Sequence, residues 1–321
     1  MCYDKIHNFR ALLIILYLCT TVDHTIMTER YNAFLNRIGN VIAKDRIYTD
    51  ELRRFAWGTD AGFYRMTPQM VIRSASEKEV ASILKAASES NVPVTFRAAG
   101  TSLSGQAVSD SVLVVAGRNW EKIKTDDSGL TVTLQPGVIG AHVNDFLKQY
   151  GRKFGPDPAS IKSCMVGGIV MNNASGMSCG TWANSDRMLL SARIVFADGT
   201  VLDTADASSR EAFAGSHHKM LSQIEQLRDE VLRDAELTGR IRHKYSIKNV
   251  TGLNLLPLIT YEDPFDILLH LLVGSEGTLA FMSEVRMKTS KVACLHDDAM
   301  VYFKDMAEAA GVDPALIMSD Y

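Results

Sequence analysis

Cysteine is scarce in this chain and badly spaced for metal chemistry. The five cysteines in 321 residues, Cys2, Cys19, Cys164, Cys179 and Cys294, include no Cys-x-x-Cys pair, so they support neither a zinc site nor an iron–sulfur cluster. Reduced thiols are expected. Basic excess is missing too: a net charge of −3 provides no overall field that would draw in nucleic acid or an anionic bilayer surface. The eight histidines contain no His-x-x-His pair. His217 and His218 are adjacent and cannot face one ion together, so no metal ligand is assigned and both are read as solvated. Long apolar runs are absent apart from residues 11–19, behind Lys5 and Arg10, a run too short to cross a bilayer as a helix. That run resembles a signal-peptide core, but no small-x-small cleavage site follows, and Leu18 is too large before Cys19 for a lipoprotein signal. A true start at Met27, opening an amphipathic helix, is the preferred reading. Any membrane contact is expected to be peripheral.

With 46% hydrophobic and 22% charged residues, the chain can bury the core of one large or two medium domains. Tyr31, Phe34, Leu35 and Ile38 stand at helical spacing. The polar, aromatic passage from Tyr48 to Tyr64 reads as packing in preference to a ligand-facing loop. Met70–Arg73 reads as a strand, and Ser76 with Glu79 forms a capping box that opens a helix to about Ser90. A second strand, 92–96, empties into Arg97-Ala-Ala-Gly-Thr-Ser-Leu-Ser-Gly-Gln106, and a third follows near 112–115. Gly100 and Gly105 have the outer spacing of a P-loop, but Gln106 and Ala107 stand where Lys and Ser or Thr are required. The dinucleotide pattern Gly-x-Gly-x-x-Gly is absent as well. What remains is a nest of small residues from Ala98 to Ser102, with hydroxyls at Thr101, Ser102 and Ser104 and the charge of Arg97. A pyrophosphate would satisfy such a loop, and a surface turn would be permitted.

Farther on, 130–135 alternates as a strand, and 138–150 carries a helical face of Val143, Phe146 and Leu147 closed by Gly151. The stretch from Gly155 to Gly180 is rich in Gly, Ser and Asn and nearly free of charge. It is either a compact glycine-rich connection or a place where backbone and amide donors meet a ligand with many acceptors. Residues 192–202 form a hairpin about Asp198-Gly199, and an amphipathic helix is predicted from about 216 to 235. A short apolar helix, 267–272, then runs into Gly274-Ser-Glu-Gly-Thr278 ahead of a strand over 279–287. A lone Glu in such a turn is more often a local cap than a functional group.

Taken together, Arg97 to Gln106, Gly155 to Gly176 and Gly274 to Thr278 resemble the flavin domain of the FAD-linked oxidase family, the fold shared with vanillyl-alcohol oxidase. The phrases 95–106 and 263–278 are similar to the bacterial D-lactate and glycolate dehydrogenases, nearest the D-lactate dehydrogenase-like branch, whose longer members carry a C-terminal iron–sulfur region. The resemblance implies an α+β fold of two subdomains clasping FAD. Residues 1–26 are then a signal-like segment or precede the true start, and 27–66 form an N-terminal helix and the loop after it. Residues 67–288 are the FAD-binding PCMH-type domain, with subdomains of about 67–117 and 118–288. Residues 289–321 begin a cap domain that is largely missing, its first strand over 299–303 and first helix over 305–310.

By the same resemblance, Arg97, Ala98, Ala99, Gly100, Thr101 and Ser102 belong to the pyrophosphate loop. Asp157, Ser160, Ser163, Gly167, Gly168, Asn172, Asn173, Ser175 and Gly176 line the cofactor between pyrophosphate and isoalloxazine. Glu276, Gly277 and Thr278 close the site beside the ribose and adenine half. Because no histidine stands in these segments, the FAD is expected to be non-covalent. No catalytic residue is assigned, since the substrate side is expected in the cap. The implied activity is an FAD-dependent oxidation of a small 2-hydroxy acid, completed by a second chain carrying the cap and iron–sulfur region. The alternatives are a catalytically silent flavin-binding module or fragment, or a same-fold oxidase of another alcohol or amine. The expected location is cytoplasmic, at most peripheral to the inner face of the membrane.

Overall fold

The computed structural model describes residues 29–292. The expectations for the start at Met27, the signal-like run and the cap strand and helix lie outside the described residues. Helix α1, over 29–38, turns Tyr31, Phe34 and Ile38 into a core shared with Met70, Ile72, Val112 and Val114. After it come β1 (Ile47–Tyr48), α2 (Glu51–Ala56), β2 (Met70–Arg73), α3 (Glu77–Ser90), β3 (Val94–Arg97) and β4 (Val112–Val115). Ser76 caps α3 as predicted, accepting from the Glu79 N–H at 3.3 Å, while the Glu79 carboxylate reaches one residue farther back than in the standard box, to the Ala75 N–H at 2.8 Å. Asn91 ends the helix in the left-handed region, φ 52°. The strands form one sheet in the order β1-β2-β4-β3, with β2, β4 and β3 parallel and β4 wholly buried between its neighbours. The Arg97 end of β3 is therefore the carboxyl end of a parallel sheet, where α/β folds place ligands.

The second half contributes β5 (Ile123–Thr125), β6 (Thr131–Leu134), α4 (Gly140–Leu147), β7 (Arg152–Phe154), α5 (Val166–Met171), α6 (Ser185–Met188), β8 (Leu189–Val195) and β9 (Val201–Asp203). It ends with α7 (Ala207–Arg233), α8 (Ala235–Lys244), α9 (Pro257–Thr260), α10 (Pro264–Leu271) and β10 (Phe281–Lys291). The sheet order is β5-β6-β10-β8-β9, with β7 also paired to β10. Helix α7 begins nine residues before the predicted start near 216, because Asp206 caps it by accepting from the Ser208 and Ser209 N–H groups. A break at His217 (φ −120°, ψ 26°) bends it. That bend corrects the reading of His217 as solvated: its ring stacks on Phe213 at 4.2 Å, and its Nε2 lies 3.1 Å from Asp198 Oδ2. His218 is exposed.

Asp198 thus does more than hold its own turn, in which it accepts from the Thr200 N–H and Oγ1, both at 2.9 Å. Replacing Asp198 with Ala is expected to cost about 1–2 kcal/mol in urea unfolding, because the turn and its tie to α7 both go, with flavin content unchanged. A folded but colourless variant would place the hairpin in the site.

The two sheets meet across α3. Val80 packs with Ala116, Trp120, Val195 and Phe281, and the Trp120 indole N–H donates to the Ser74 carbonyl at 3.0 Å. Beside this apolar joint, Arg193 of β8 donates through Nη2 (2.7 Å) and Nε (3.0 Å) to the two oxygens of Glu77, and Ser283 of β10 donates to the same carboxylate at 2.5 Å. Burial works against ionisation here, but the Arg193 and Ser283 hydrogen bonds outweigh it and hold the Glu77 carboxyl below the usual carboxylate range. A depressed folded-state pKa stabilises the protein above the unfolded value, and that stabilisation is lost as pH falls through the carboxyl range. Glu77→Gln should therefore lower stability at pH 7 by about 1–3 kcal/mol. Urea titrations of both proteins should converge as pH drops below about 4.

Candidate functional site

Between the two subdomains lies a cavity of about 420 Å³. All three segments singled out in the sequence reach it. Its walls include Arg97, Ala98, Ala99, Gly100, Thr101 and Ser102 from the first, Ser160, Gly167, Gly168, Asn172 and Ser175 from the second, and Glu276 and Gly277 from the third. Asp157, Ser163, Asn173, Gly176 and Thr278 do not line it. Asp157 accepts from the Ser178 hydroxyl, and its backbone carbonyl packs directly on Gly176. Ser163 donates to the Ser160 carbonyl at 3.2 Å. Asn173, buried and left-handed at φ 52°, accepts from the Asp186 N–H at 3.2 Å. Thr278 is exposed and donates to the Ser275 carbonyl at 2.6 Å.

The loop after β3 is shaped by Gly100 (φ +73°) and Gly105 (φ +79°), conformations that an L side chain rarely adopts. Arg97 braces it from behind. Its Nη1 donates to the carbonyls of Thr59 (2.7 Å), Ala107 (3.2 Å) and Trp57 (3.3 Å), and a Cβ on Gly100 would collide with its guanidinium. Burial lowers its pKa, only partly offset by Asp60. The aromatic passage before β2 therefore supports the loop: Trp57 and Thr59 hold Arg97, Ala61 N–H donates to the Gly100 carbonyl at 3.1 Å, and Tyr64 packs against Gly105. Ser102 donates to Gln106, a residue that also lines the cavity.

In the second segment, Gly167 packs on Pro136, where a Cβ would come within 2.7 Å of the proline ring. Gly168 differs: a Cβ there would meet only the Ala98 methyl, at 3.8 Å, and would otherwise enter the cavity. At the end of α5, Asn172 Nδ2 donates to Glu276 Oε1 at 2.6 Å. Glu276 stands in the left-handed region at φ 57°, and its N–H donates to the Met171 carbonyl at 2.9 Å. Burial raises its carboxyl pKa, against hydrogen bonds from Asn172 and Gln106. These three polar side chains join the loop after β3 in one subdomain to α5 and the 274–278 turn of the other.

Sequence reasoning misses several wall residues, among them Gln106, Pro136, Cys164, Val250 and Phe281. In the sequence, Gln106 stands out only as the residue that spoils a P-loop. Val250 lies in Asn249-Val-Thr-Gly252, whose turn chemistry, with Gly252 at φ +71°, could have marked a backbone approach. Nothing local marks Pro136 or Phe281.

Residues 68–205 match the family described as the FAD binding domain. The chain is 26% identical over 260 residues to the D-2-hydroxyglutarate dehydrogenase of Haemophilus influenzae, covering 75% of this chain and 24% of that protein. It is 26% identical over 220 residues to the D-lactate dehydrogenase of Archaeoglobus fulgidus, covering 68% and 38%. Among solved structures, an alkyldihydroxyacetonephosphate synthase superposes with a TM-score of 0.56 at 20% identity, over 83% of this chain and 41% of the other. The chain thus spans about a quarter to two-fifths of the length of these proteins.

The cavity suits such a cofactor. The backbone N–H groups of 98–102 suit phosphate oxygens, and the Ser160, Asn172 and Ser175 side chains suit the hydroxyls and ring heteroatoms. Ile169, Met171 and Phe281 supply apolar wall for a flat aromatic system. The open space in front of Gly168 is the most direct sign, since glycine inside a helix costs backbone entropy and here no protein atom takes up the room that its missing side chain leaves.

Proposed function

We propose that this chain, a carrier of the FAD binding domain, is the flavin-holding part of a dehydrogenase that oxidises a small 2-hydroxy acid. The observation that carries the reading is the convergence of the three segments on one cavity, with the helix glycine Gly168 left open to it. Bound FAD supplies a two-electron acceptor. The chain's own residues bind and orient it: the 98–102 loop takes the pyrophosphate, α5 and Ser175 take the middle of the cofactor, and Glu276 with Gly277 closes the nucleotide end. Arg97 acts as a positioning residue, keeping the loop open through Trp57, Thr59 and Ala107.

Attachment is non-covalent on this reading. Among the described residues no histidine lines the cavity, and the nucleophile that does, Cys164, is a buried thiol pushed above its usual pKa against a Ser160 hydrogen bond. A thiol kept protonated is a poor nucleophile. The similarity to D-2-hydroxyglutarate and D-lactate dehydrogenases supports the substrate class.

The test is the absorbance spectrum of the purified chain, acid precipitation, and identification of the released flavin. FAD in the supernatant is expected, and flavin retained in the pellet would overturn the non-covalent reading. Anaerobic D-lactate, D-2-hydroxyglutarate and glycolate are then added, with and without a cap-carrying chain. Bleaching by a 2-hydroxy acid is expected with that chain present. Bleaching by an amine or a sugar alcohol alone would assign a different oxidase.

A further inference from the structure

A 2-hydroxy acid brings a carboxylate to the site that oxidises it, and a carboxylate leaving water needs a cation or several N–H donors in exchange. The cavity wall offers almost no charge for this. Of the described residues that line it, only Arg97 and Glu276 are charged. Arg97 is committed elsewhere, because its Nη1 faces the carbonyls of Thr59, Ala107 and Trp57 behind the loop. Glu276 has the wrong sign.

One further cation stands at the edge. Lys248 donates through Nζ to the Gly176 carbonyl. Gly176 follows the wall residue Ser175, and Val250, two residues after Lys248, is a wall residue too, so the ammonium group borders the cavity. The turn that carries it is well fixed. Thr251 N–H donates to Asn249 Oδ1 at 3.1 Å, and the Gly252 carbonyl packs so closely on Gly274 that a Cβ on Gly274 would come within 3.0 Å of it. Although Lys248 is exposed, its side chain turns back onto main chain instead of extending into water. It forms no ion pair among the described residues, and the acid that faces Gly176 from the other side, Asp157, takes the Ser178 hydroxyl. A single neutral carbonyl occupies one of the three ammonium N–H groups and leaves the charge uncompensated.

We infer that Lys248 binds the carboxylate of the 2-hydroxy acid, at the end of the cavity that takes the flavin ring. This rests on the flavin reading above, in which the 98–102 loop takes the pyrophosphate and Glu276 and Gly277 close the nucleotide end. The side bounded by Pro158 and Ser175 is left for the ring. Gly176, which Lys248 touches, packs on the Asp157 carbonyl immediately before Pro158. The ammonium group is a compact point charge with two N–H groups left for carboxylate oxygens. Its part is to hold and orient the substrate, and it moves no proton.

The full chain loaded with FAD tests this through the flavin difference spectrum, titrated with oxalate as a carboxylate that is not oxidised and with lactamide as an uncharged counterpart of lactate. Oxalate should perturb the wild-type spectrum, and Lys248→Met should weaken its binding at least about tenfold. Lys248→Arg should restore most of it, and lactamide should bind the wild-type and Lys248→Met proteins alike. Flavin content and thermal midpoint should not change in either variant. Equal oxalate affinity in the wild-type and Lys248→Met proteins, or no response to oxalate by the FAD-containing wild type, would overturn the inference and leave the flavin reading standing. Equal losses of oxalate and lactamide would overturn it as well, by showing that Lys248 only shapes the segment around Gly176. A folded Lys248→Met protein that loses its FAD would give the cation to the cofactor's own anionic groups instead. A wild-type chain that takes up no FAD would overturn the flavin reading itself, and this inference with it.

Discussion

Gly168→Val should yield a folded protein that loses its FAD, with affinity reduced roughly a hundredfold or more. Gly168 lies inside α5 with ordinary helical geometry, so the substitution introduces no backbone strain; valine is even a somewhat better helix former than glycine. Its built Cβ touches nothing closer than the Ala98 methyl at 3.8 Å, so the fold does not resist the new side chain. Beyond that methyl the side chain enters the cavity, so whatever occupies the cavity is displaced. Gly168→Ala sharpens the argument, because it should raise the thermal midpoint of the flavin-free protein, in line with about 0.5–1 kcal/mol, while weakening flavin retention less than valine does. Stability and binding would then move in opposite directions. Retention of flavin by the valine variant at the wild-type level would remove α5 from the site.

Gly176→Ala, eight residues later, should do the reverse: destabilise the fold by about 3 kcal/mol or more, with flavin lost only as a consequence. Gly176 has an extended backbone, φ −130° and ψ −176°, open to any residue, so its need for glycine is steric. A Cβ there would occupy the position of the Asp157 carbonyl, which is backbone and cannot swing aside. Its own carbonyl accepts from Lys248 and Cys179, fixing the segment on three sides. Circular dichroism against temperature, with flavin fluorescence read in parallel, separates the two glycines. Unfolding and flavin release should coincide for Gly176→Ala and should not for Gly168→Val.

These two residues also show what can be read from the sequence. Both belong to a glycine-rich run whose composition leaves a compact connection and a ligand contact equally open, and which only the family resemblance assigns to the cofactor, since composition announces close approach without saying what approaches. Local chemistry is far more readable. The Ser76 cap, the Asp198-Gly199 turn and the Gly151 helix end each depend on neighbours within a few residues, and each stands where the sequence predicts it. The direction of a side chain is not readable. Arg97 carries a charge in any reading, but only the packing of Trp57 and Thr59 turns its Nη1 toward backbone carbonyls. His217 reads as solvated beside His218, yet the bend in α7 lays it on Phe213. Pro136 and Phe281 reach the cavity through long-range packing that leaves no mark on nearby residues.

The placement of β10 has a consequence for how the chain is made. This strand, residues 281–291, lies between β6 at 131–134 and β8 at 189–195 and also pairs with β7. A polypeptide emerging from the ribosome therefore carries β6 and β8 for some ninety to one hundred and fifty residues with open hydrogen-bonding edges. The first sheet, complete by Val115, can form early, whereas the second must wait for nearly three hundred residues to be synthesised. Translation that halts before Phe281 leaves two exposed edges on an apolar half-sheet, a species suited to chaperone capture or edge-to-edge aggregation.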